Sequence, residues 1–481
     1  MARLPRALLV AHRYLGIGVG PFMIMWCLSG IIMMYVPYPR LPEAARRSGL
    51  GPIDWSNLGS YAGGRKDERV DAATVEMLAG RVVLRADLRT VDLANGTPIG
   101  AITPERASAI AADFAAWFPG IEQRKRPEVR ELVRDDTWTF SGIAPQERPL
   151  YRIALGDRKA TEIYVSSVTG RIVQATTRRQ RVWSWFGSVP HWIYVAALRR
   201  HARLWNAVVV FVSACGSFLT VFGIVLGVSR WKSGLNGRRV RDARRLHHLG
   251  GLVFGIATLT WVASGLLSMN PGGLFENRDD SPVEIALLGS PPAMSRVTAA
   301  LRGIARSAIA ARAVSVEMAP LGGNLYFVIQ DHAGRRVRVD ESARPAPLTQ
   351  ERLQRTTVAA FGGAPVELLP SGDDYFLPEP PTPVYRVIAN DAERIRYYLD
   401  PISGKMETSV GPSDKKYRWL HDALHKLDAP SALRTSSIRW ILMIALLAGA
   451  AATGASGLLI GIRHVLERTR RHACNRGIGD R

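Results

Sequence analysis

Four long apolar runs divide this chain of 481 residues. They cover residues 15–36, 207–228, 249–269 and 438–462, and each is almost free of charged side chains. About 20 helical residues, rising about 1.5 Å each, cross the roughly 30 Å hydrocarbon core of a bilayer. Four such runs in one chain are not typical of buried helices in a soluble protein. The pattern therefore predicts a membrane protein with a four-helix transmembrane bundle.

Basic residues are concentrated at three places that four spans would bring to the same side of the membrane. These are the N-terminus, the connection between the second and third runs, and the C-terminal tail. Cytoplasmic segments of membrane proteins carry an excess of Lys and Arg, so this side is expected to be the cytosol. The formal net charge of +22 is then explained mainly by the basic segments that orient the protein in the membrane. We expect the lipid bilayer, and no nucleic acid, to be the partner of these charges.

The chain also repeats itself, which sets its architecture. His12, Trp26, Ser29-Gly30 and Met34 recur as His247, Trp261, Ser264-Gly265 and Met269, an offset of 235 residues. At an offset of 234, Tyr151, Trp185, His191, Gly223 and Gly227 recur as Tyr385, Trp419, His425, Gly457 and Gly461. Each unit consists of a helix that leaves the cytosolic side, a soluble segment, and a helix that returns to the cytosolic side. This predicts two parallel repeats of two helices, related by an axis along the membrane normal.

The apolar runs and the repeat together give the expected domain boundaries. They are helix 1 with a cytosolic N-terminus (1–36), a first periplasmic domain (37–202), helix 2 (203–228), a basic cytosolic loop (229–246), helix 3 (247–269), a second periplasmic domain (270–435), helix 4 (436–462) and a basic cytosolic tail (463–481).

Both soluble segments alternate strand-like and helix-like stretches. Alternating β-branched and aromatic residues predict strands at 81–88, 161–165, 324–330 and 395–399. Thr103 and Thr349 precede helical periodicity and are expected N-caps. Tight turns that end in glycine follow two of the strands, at 166–170 and 400–404. An α+β domain, with a helix on an antiparallel sheet, fits this order in both segments.

The placement of four histidines is the strongest chemical signal. His12 and His247 occupy equivalent positions at the cytosolic ends of helices 1 and 3, and His191 and His425 precede helices 2 and 4 near the other face. Imidazole is the usual axial ligand of b-type haem, and ligation by two histidines needs one from each of two helices. A two-fold axis puts His12 opposite His247 and His191 opposite His425. The sequence thus predicts two b-type haems, one at each membrane surface.

Several neighbours leave the ligand assignment open. His248, His201 and His421 lie close to the four named histidines and could replace one of them. Trp26 and Trp261 could pack against the edge of a porphyrin, although ordinary helix packing explains them equally well. No C-x-x-C-H motif is present, so covalent c-type haem is excluded.

These residues together resemble the family of PepSY-associated transmembrane proteins. The resemblance rests on His12-Arg-Tyr-Leu-Gly, on the Ser-Gly near the end of helix 1, on the histidines before helices 2 and 4, and on the hairpin Tyr397-Tyr-Leu-Asp-Pro-Ile-Ser-Gly-Lys. It covers nearly the whole chain, but the first hairpin lacks Asp-Pro and has Ser166-Ser167 instead. The external segments are also larger than in short members, and no flavodoxin or NADPH-binding portion is present.

The resemblance implies a di-haem reductase of the bacterial inner membrane that releases iron from a ferric siderophore, or another Fe(III) chelate, in the periplasm. The electron donor stays open between quinol and a soluble cytosolic reductant. The alternative function is a membrane-anchored PepSY module that binds or inhibits a peptidase without redox chemistry. An anchor needs one span and no paired histidines, so we expect the electron-transfer function.

Overall fold

The computed structural model of the protein describes residues 6–59, 68–87, 89–232, 243–276, 278–378, 380–429, 434 and 436–477. The chain forms two compact units. The helical unit comprises Met1–Tyr38, Gln180–Glu276 and Lys416–Arg481, and the sheet unit comprises Pro39–Arg179 and Asn277–Lys415. Most of the predicted basic loop, at 233–242, lies outside the described residues, as do 1–5 and 478–481.

Four of the described helices of the helical unit are long and apolar enough to cross a membrane, which confirms the four predicted apolar helices. Bundle helices 1 to 4 are Arg6–Tyr35, Ala202–Lys232, Ala243–Ser268 and Ser437–Gly477. Bundle helix 4 continues well beyond its apolar run. The hydropathy pattern detects only the part of the helix that is apolar enough for the membrane interior. The Arg, Leu, Glu and Ala residues that follow it have high helix propensity, so the helix continues in water.

Neighbouring bundle helices run antiparallel and approach each other at glycines. Gly461 of helix 4 faces Ile17 of helix 1, and Gly227 of helix 2 faces Leu252 of helix 3. A Cβ atom added at Gly449 would lie 2.2 Å from the Phe254 ring. Small residues permit such close approach of membrane helices. Helices 1 and 3 each pack on helices 2 and 4, so they face each other diagonally across the bundle.

The two ends of the bundle differ in what they carry. We call the end where helices 1 and 3 begin and helices 2 and 4 finish the basic end. At the opposite end, short helices lead into bundle helices 2 and 4. They are Arg178–Ser184, Ser188–Trp192 and Ala196–Arg199 before helix 2, and Pro412–Tyr417, a π-helix at Arg418–Ala423 and Leu424–Lys426 before helix 4.

The described residues of the sheet unit form three antiparallel sheets, with strand orders β10-β9-β8-β1-β2-β3, β4-β5-β6-β7 and β11-β12-β13-β14. The strands are β1 (Ala73–Leu78), β2 (Arg81–Ala86), β3 (Arg89–Asp92), β4 (Glu128–Val133), β5 (Leu150–Ala154), β6 (Glu162–Ser166), β7 (Ile172–Thr176), β8 (Ala313–Met318), β9 (Tyr326–Asp331), β10 (Arg336–Asp340), β11 (Val366–Leu369), β12 (Val384–Ile388), β13 (Arg396–Leu399) and β14 (Met406–Val410). Helices of this unit are Glu43–Ser48, Pro104–Trp117, Ser281–Leu288, Met294–Ala305, Gln350–Thr356 and Val358–Phe361.

The local predictions for these segments are confirmed. The four predicted strands correspond to β2, β6, β9 and β13. Thr103 caps Pro104–Trp117 by accepting a hydrogen bond from the Arg106 backbone N–H, and Thr349 does the same for Arg352. Apolar side chains of the Pro104–Trp117 helix share a core with β5 and β6, and those of Gln350–Phe361 share one with β12 and β13. The chain thus combines apolar helices with α+β structure.

The six-stranded sheet joins strands from both soluble segments, which the sequence did not predict. Strands β1 and β8 pair at its centre, with Val75 opposite Val316 and Glu76 opposite Ser315. Its core includes the Met294–Ala305 helix. The two segments therefore fold as one unit rather than as two independent bodies.

Asp400 holds the predicted turn after β13. Its carboxylate accepts hydrogen bonds from the Ser403 backbone N–H at 2.6 Å and from both ends of the Arg336 guanidinium at 2.7 and 3.1 Å. Gly404 supplies the positive φ of 78°. In the first hairpin Ser166 replaces the carboxylate, and its hydroxyl accepts from the Val168 and Thr169 backbone N–H groups. A serine hydroxyl makes the same turn more weakly.

Replacement of Asp400 by Asn should destabilise the sheet unit in a pH-dependent manner. Burial acts to raise the pKa of Asp400, but the hydrogen bonds from Arg336 and Ser403 outweigh it and hold the pKa below its usual range. The stabilisation is therefore complete above about pH 4 and is lost as the pH falls through the folded-state pKa. We expect Asp400→Asn to cost about 1.5–3 kcal/mol at pH 7 and less at pH 3, measured by urea unfolding of the full-length protein in detergent. An equal cost at both pH values would contradict this account.

Candidate functional site

The structure brings His12 and His247 together near the basic end of the bundle. Their ring centroids are 6.0 Å apart and their planes are inclined by 41°. His12 belongs to bundle helix 1 and His247 to bundle helix 3, the two helices that face each other diagonally. The two imidazoles therefore meet in the interior of the bundle.

Hydrogen bonds fix the tautomer of both rings. His12 Nδ1 lies 3.0 Å from the Leu219 carbonyl oxygen, and His247 Nδ1 lies 3.0 Å from the Thr453 carbonyl oxygen. A carbonyl can only accept, so Nδ1 carries the proton in each ring. Nε2 is then left with a free lone pair, the form in which imidazole binds a metal ion.

Glycines on the neighbouring helices make room for these two rings. A Cβ atom added at Gly223 would lie 2.9 Å from His12 Cε1, and one added at Gly457 would lie 2.6 Å from His247 Cε1. Each ring therefore lies directly against the backbone of bundle helix 2 or 4. These glycines were predicted as parts of the repeat, but their contact with histidine was not.

A second pair, His191 and His425, forms at the opposite end. The ring centroids are 6.1 Å apart and the planes are inclined by 74°. His191 lies on the short helix Ser188–Trp192 and His425 on Leu424–Lys426. Both helices stop two residues later at a left-handed residue, Ile193 with φ 52° and Leu427 with φ 49°.

Two serines set the tautomer of this second pair. The Ser29 hydroxyl donates to the Trp26 carbonyl oxygen and lies 3.1 Å from His191 Nδ1. The Ser264 hydroxyl donates to the Trp261 carbonyl oxygen and lies 3.0 Å from His425 Nδ1. With each hydroxyl hydrogen directed to the tryptophan carbonyl oxygen, the serine oxygen accepts from Nδ1–H. Nε2 again keeps its lone pair. The sequence identified the Ser-Gly motif as part of the repeat but did not predict these contacts with histidine.

The alternative histidines differ in how close they lie to these pairs. The His421 ring stacks on His425 with centroids 5.1 Å apart, and its Nδ1 lies 2.9 Å from the Ser264 carbonyl oxygen. His421 is therefore a real competitor of His425 as a ligand. His201 is exposed and His248 is half-buried.

The two tryptophans occupy different surroundings. The Trp261 indole N–H donates to the backbone carbonyl oxygen of His425 at 3.1 Å, so this side chain positions the residue that carries the imidazole. Trp26 lies beside Phe22, with ring centroids 6.4 Å apart, next to a cluster that includes Val212. Both tryptophans lie deeper in the bundle than the histidine pair of the basic end.

The donor set of both pairs fits a metal ion that takes two imidazoles. Two imidazoles that bind one ion from opposite sides place their ring centroids roughly 6 Å apart, because each metal–nitrogen bond is about 2 Å and each centroid lies about 1 Å behind its nitrogen. The observed centroid distances of 6.0 and 6.1 Å are close to this length. No cluster of three or more His, Cys, Asp or Glu side chains suited to a bare metal ion occurs among the described residues.

No protein-family model and no curated protein matches this chain.

Replacement of Gly457 by Ala tests the glycine contact. The added methyl group would push His247 out of its present position, so we expect the affinity for a cofactor between His12 and His247 to fall about 10- to 100-fold, as for other changes behind a metal ligand. Gly251→Ala on bundle helix 3 is the matched control, because a Cβ atom there meets nothing within 4 Å. Haem titration of the purified proteins measures the effect. Equal affinities in the two variants would show that the glycine is irrelevant to the site.

Proposed function

We propose that the protein is a haem-dependent reductase that carries electrons across a membrane to a ferric complex. The observation that carries this proposal is the presence of two histidine pairs, His12 with His247 and His191 with His425, at a spacing and in a tautomer suited to axial ligation. Bis-histidine ligation inside a helical bundle is a common way to hold b-type haem.

The residues of the chain have distinct tasks in this scheme. His12 and His247 would hold one haem near the basic end, and His191 and His425 would hold the other, with His421 as the substitute for His425. When bound, each haem iron supplies a one-electron couple between its ferric and ferrous states. Leu219, Thr453, Ser29 and Ser264 keep the four imidazoles in the ligating tautomer. The Gly223 and Gly457 backbones fix the ring positions at the basic end.

The two pairs are suited to bridge most of a bilayer. His12 and Ser29, the contact of His191, lie 17 residues apart on bundle helix 1, which corresponds to about 26 Å of rise. The hydrocarbon core is roughly 30 Å thick. One site therefore belongs to each surface, and electrons entering at one surface would leave at the other.

A duplicated architecture explains why each histidine meets its own counterpart. Thr74-Val-Glu-Met and Ser315-Val-Glu-Met are similar sequences, and they pair antiparallel in the six-stranded sheet with Val75 directly opposite Val316. An axis that relates two halves would pass between these valines. In the helical unit the same relation pairs His12 with His247 and His191 with His425. We therefore take the chain to consist of two parallel repeats with PepSY-like soluble segments.

The basic residues at one end of the bundle give the orientation of the protein in the membrane, and this orientation gives the direction of electron transfer. The basic end is taken as cytosolic by the positive-inside rule. The resemblance to PepSY-associated proteins implies that the membrane is a bacterial inner membrane and that the sheet unit lies in the periplasm. Electrons would enter from quinol or a cytosolic donor at His12 and His247. They would leave near His191 and His425 to an Fe(III) chelate such as a ferric siderophore, which gives up its iron after reduction.

Reoxidation of the reduced protein tests the substrate class. Haem-loaded protein is reduced with stoichiometric dithionite without oxygen and then mixed with a ferric siderophore, while the reduced b-type absorption band is followed. We expect the band to disappear as one Fe(II) forms for each haem oxidised, trapped by a ferrous chelator. The same siderophore loaded with Ga(III), which this chemistry does not reduce, is the control. A band that persists with every ferric chelate would reject the reductase function while leaving haem binding intact.

A further inference from the structure

A series of four aromatic rings starts at His425 and ends on a loop at the same end of the bundle. The His421 ring stacks on the His425 ring with centroids 5.1 Å apart. The Tyr417 ring lies 4.9 Å from the His421 ring, and the Phe275 ring lies 5.2 Å from the Tyr417 ring, edge to face at 87°. Aromatic rings in contact have centroids roughly 4.5–7 Å apart. Each ring of the series therefore contacts the next.

The inner part of this series is fixed by local helix geometry. His421 lies in the π-helix Arg418–Ala423, and its Nδ1 lies 2.9 Å from the Ser264 carbonyl oxygen. Arg418 donates from Nη1 to the Asp428 carboxylate at 2.8 Å, and both side chains are buried. This ion pair brackets the segment that carries the two stacked histidines. Single π-helical turns are rare and occur frequently at functional sites.

The outer end of the series is held by a well-defined loop. Asn270 follows bundle helix 3 with a φ of 48°, and its side-chain amide donates to the Phe275 carbonyl oxygen at 2.8 Å. Its Oδ1 accepts from the Phe275 backbone N–H, also at 2.8 Å. Leu274 is 57% exposed, and Phe275 and Tyr417 are half-buried. These last three residues form an apolar surface that we call the ring-end patch.

The other half of the chain cannot form the same series. The offset of 234 relates His421 to Gly187, which has no ring, and neither member of the ion pair has a charged counterpart. Tyr417 corresponds to Trp183, whose side chain is exposed. The two proposed ligands at this end of the bundle therefore have different surroundings, and only His425 is joined to a surface by this series of rings.

We propose that the Fe(III) chelate docks on the ring-end patch. This inference rests on the proposed function and names the docking surface for its substrate. Electron transfer through a protein slows steeply with distance, so a chelate at the outer end of the series is better placed than one separated from His425 by a gap. An apolar aromatic surface binds the carbon-rich face of an organic chelate and not a hydrated ion. The transfer reduces Fe(III) to Fe(II) by one electron, and no ring is oxidised.

Binding of a Ga(III) chelate tests the ring-end patch without electron transfer. Ga(III) complexes of a trihydroxamate, a triscatecholate and citrate are titrated calorimetrically into the haem-loaded full-length protein, and the tightest binder is used. We expect Tyr417→Leu to weaken its binding about tenfold, as truncation of a central contact residue does. Tyr417→Phe keeps the ring and should bind within about twofold of the wild-type protein. Phe275→Leu gives a second measurement, with the same expected loss as Tyr417→Leu.

The matched control is Trp183→Leu, which removes the aromatic residue at the equivalent position of the other half. This variant should bind the Ga(III) chelate as the wild-type protein does. Haem content is measured in every variant to show that the ligand sites are intact. With the Fe(III) form of the same chelate, the second-order rate constant for reoxidation of the reduced protein should fall by the same factor as the affinity.

Three results would each overturn the proposal. They are unchanged Ga(III) chelate affinity in both the Tyr417→Leu and Phe275→Leu proteins, an equal loss in the Trp183→Leu protein, and no binding of any of the three chelates by the wild-type protein. A wild-type protein that binds the Ga(III) chelate on the ring-end patch but contains no haem would instead reject the proposed function and leave the docking surface in place.

Discussion

Purified His12→Ala protein is expected to contain one haem, against two expected in the wild-type protein. The His12 ring meets His247 at the basic end and has no part in the second pair, so its loss removes one axial ligand from one site only. His425→Ala should remove the other haem for the same reason. Pyridine haemochrome assays on protein expressed with excess haem give the stoichiometry.

Two controls make this prediction specific. His201→Ala should retain both haems, because His201 is exposed and lies outside both pairs. His421 stacks on His425 and can replace it as a ligand. If His425→Ala keeps two haems, the double variant with His421→Ala decides whether this replacement occurs. Two haems in the His12→Ala protein would reject the assignment at the basic end.

The second large effect is expected at Glu76, in the centre of the six-stranded sheet. Glu76 is 1% exposed, and its carboxylate forms ion pairs with Arg46 at 2.7 Å and with Arg85 at 2.5 Å. Arg46 is itself 4% exposed. Burial acts to raise the pKa of Glu76, but the two arginines outweigh it and hold the pKa far below the usual range of a carboxyl group.

Glu76→Ala should therefore lower the free energy of unfolding of the sheet unit by about 3–5 kcal/mol. The variant leaves the Arg46 guanidinium buried beside only one remaining acid, Glu43, and an uncompensated buried charge is costly. Urea unfolding of the full-length protein, followed by the protection of β1 and β2 in hydrogen exchange, measures the change.

The matched control for Glu76 is an exposed ion pair in the same unit. Glu128 pairs with Arg130 at 2.9 Å on β4, and both side chains are about half exposed or more. Solvent screens such pairs, so Glu128→Ala should cost less than about 1 kcal/mol. Similar losses in the two variants would mean that the buried network contributes no more than a surface pair.

Local features of the fold were predictable from sequence because local forces determine them. Thr103 and Thr349 cap their helices as the pattern indicates, and Gly170 and Gly404 have the positive φ that the turns require. The spans were predictable because hydrocarbon thickness sets the length of an apolar run. The juxtaposition of His12 with His247 followed from the repeat alone.

Features that depend on distant contacts were not predictable. The pairing of β1 with β8 joins residues more than 230 positions apart, and nothing in either strand specifies that partner. Ser29 and Ser264 are small residues of the kind found at ordinary helix contacts. Their hydrogen bonds to His191 and His425 were therefore found only in the structure.

Haem stoichiometry of the wild-type protein tests the central claim most directly. The full-length chain is expressed with excess haem, purified in detergent, and assayed as pyridine haemochrome against protein concentration from amino-acid analysis. We predict two b-type haems per chain, with a dithionite-reduced spectrum typical of bis-histidine ligation. A protein that is folded and monodisperse but binds no haem would contradict the account and favour a membrane-anchored binding module instead.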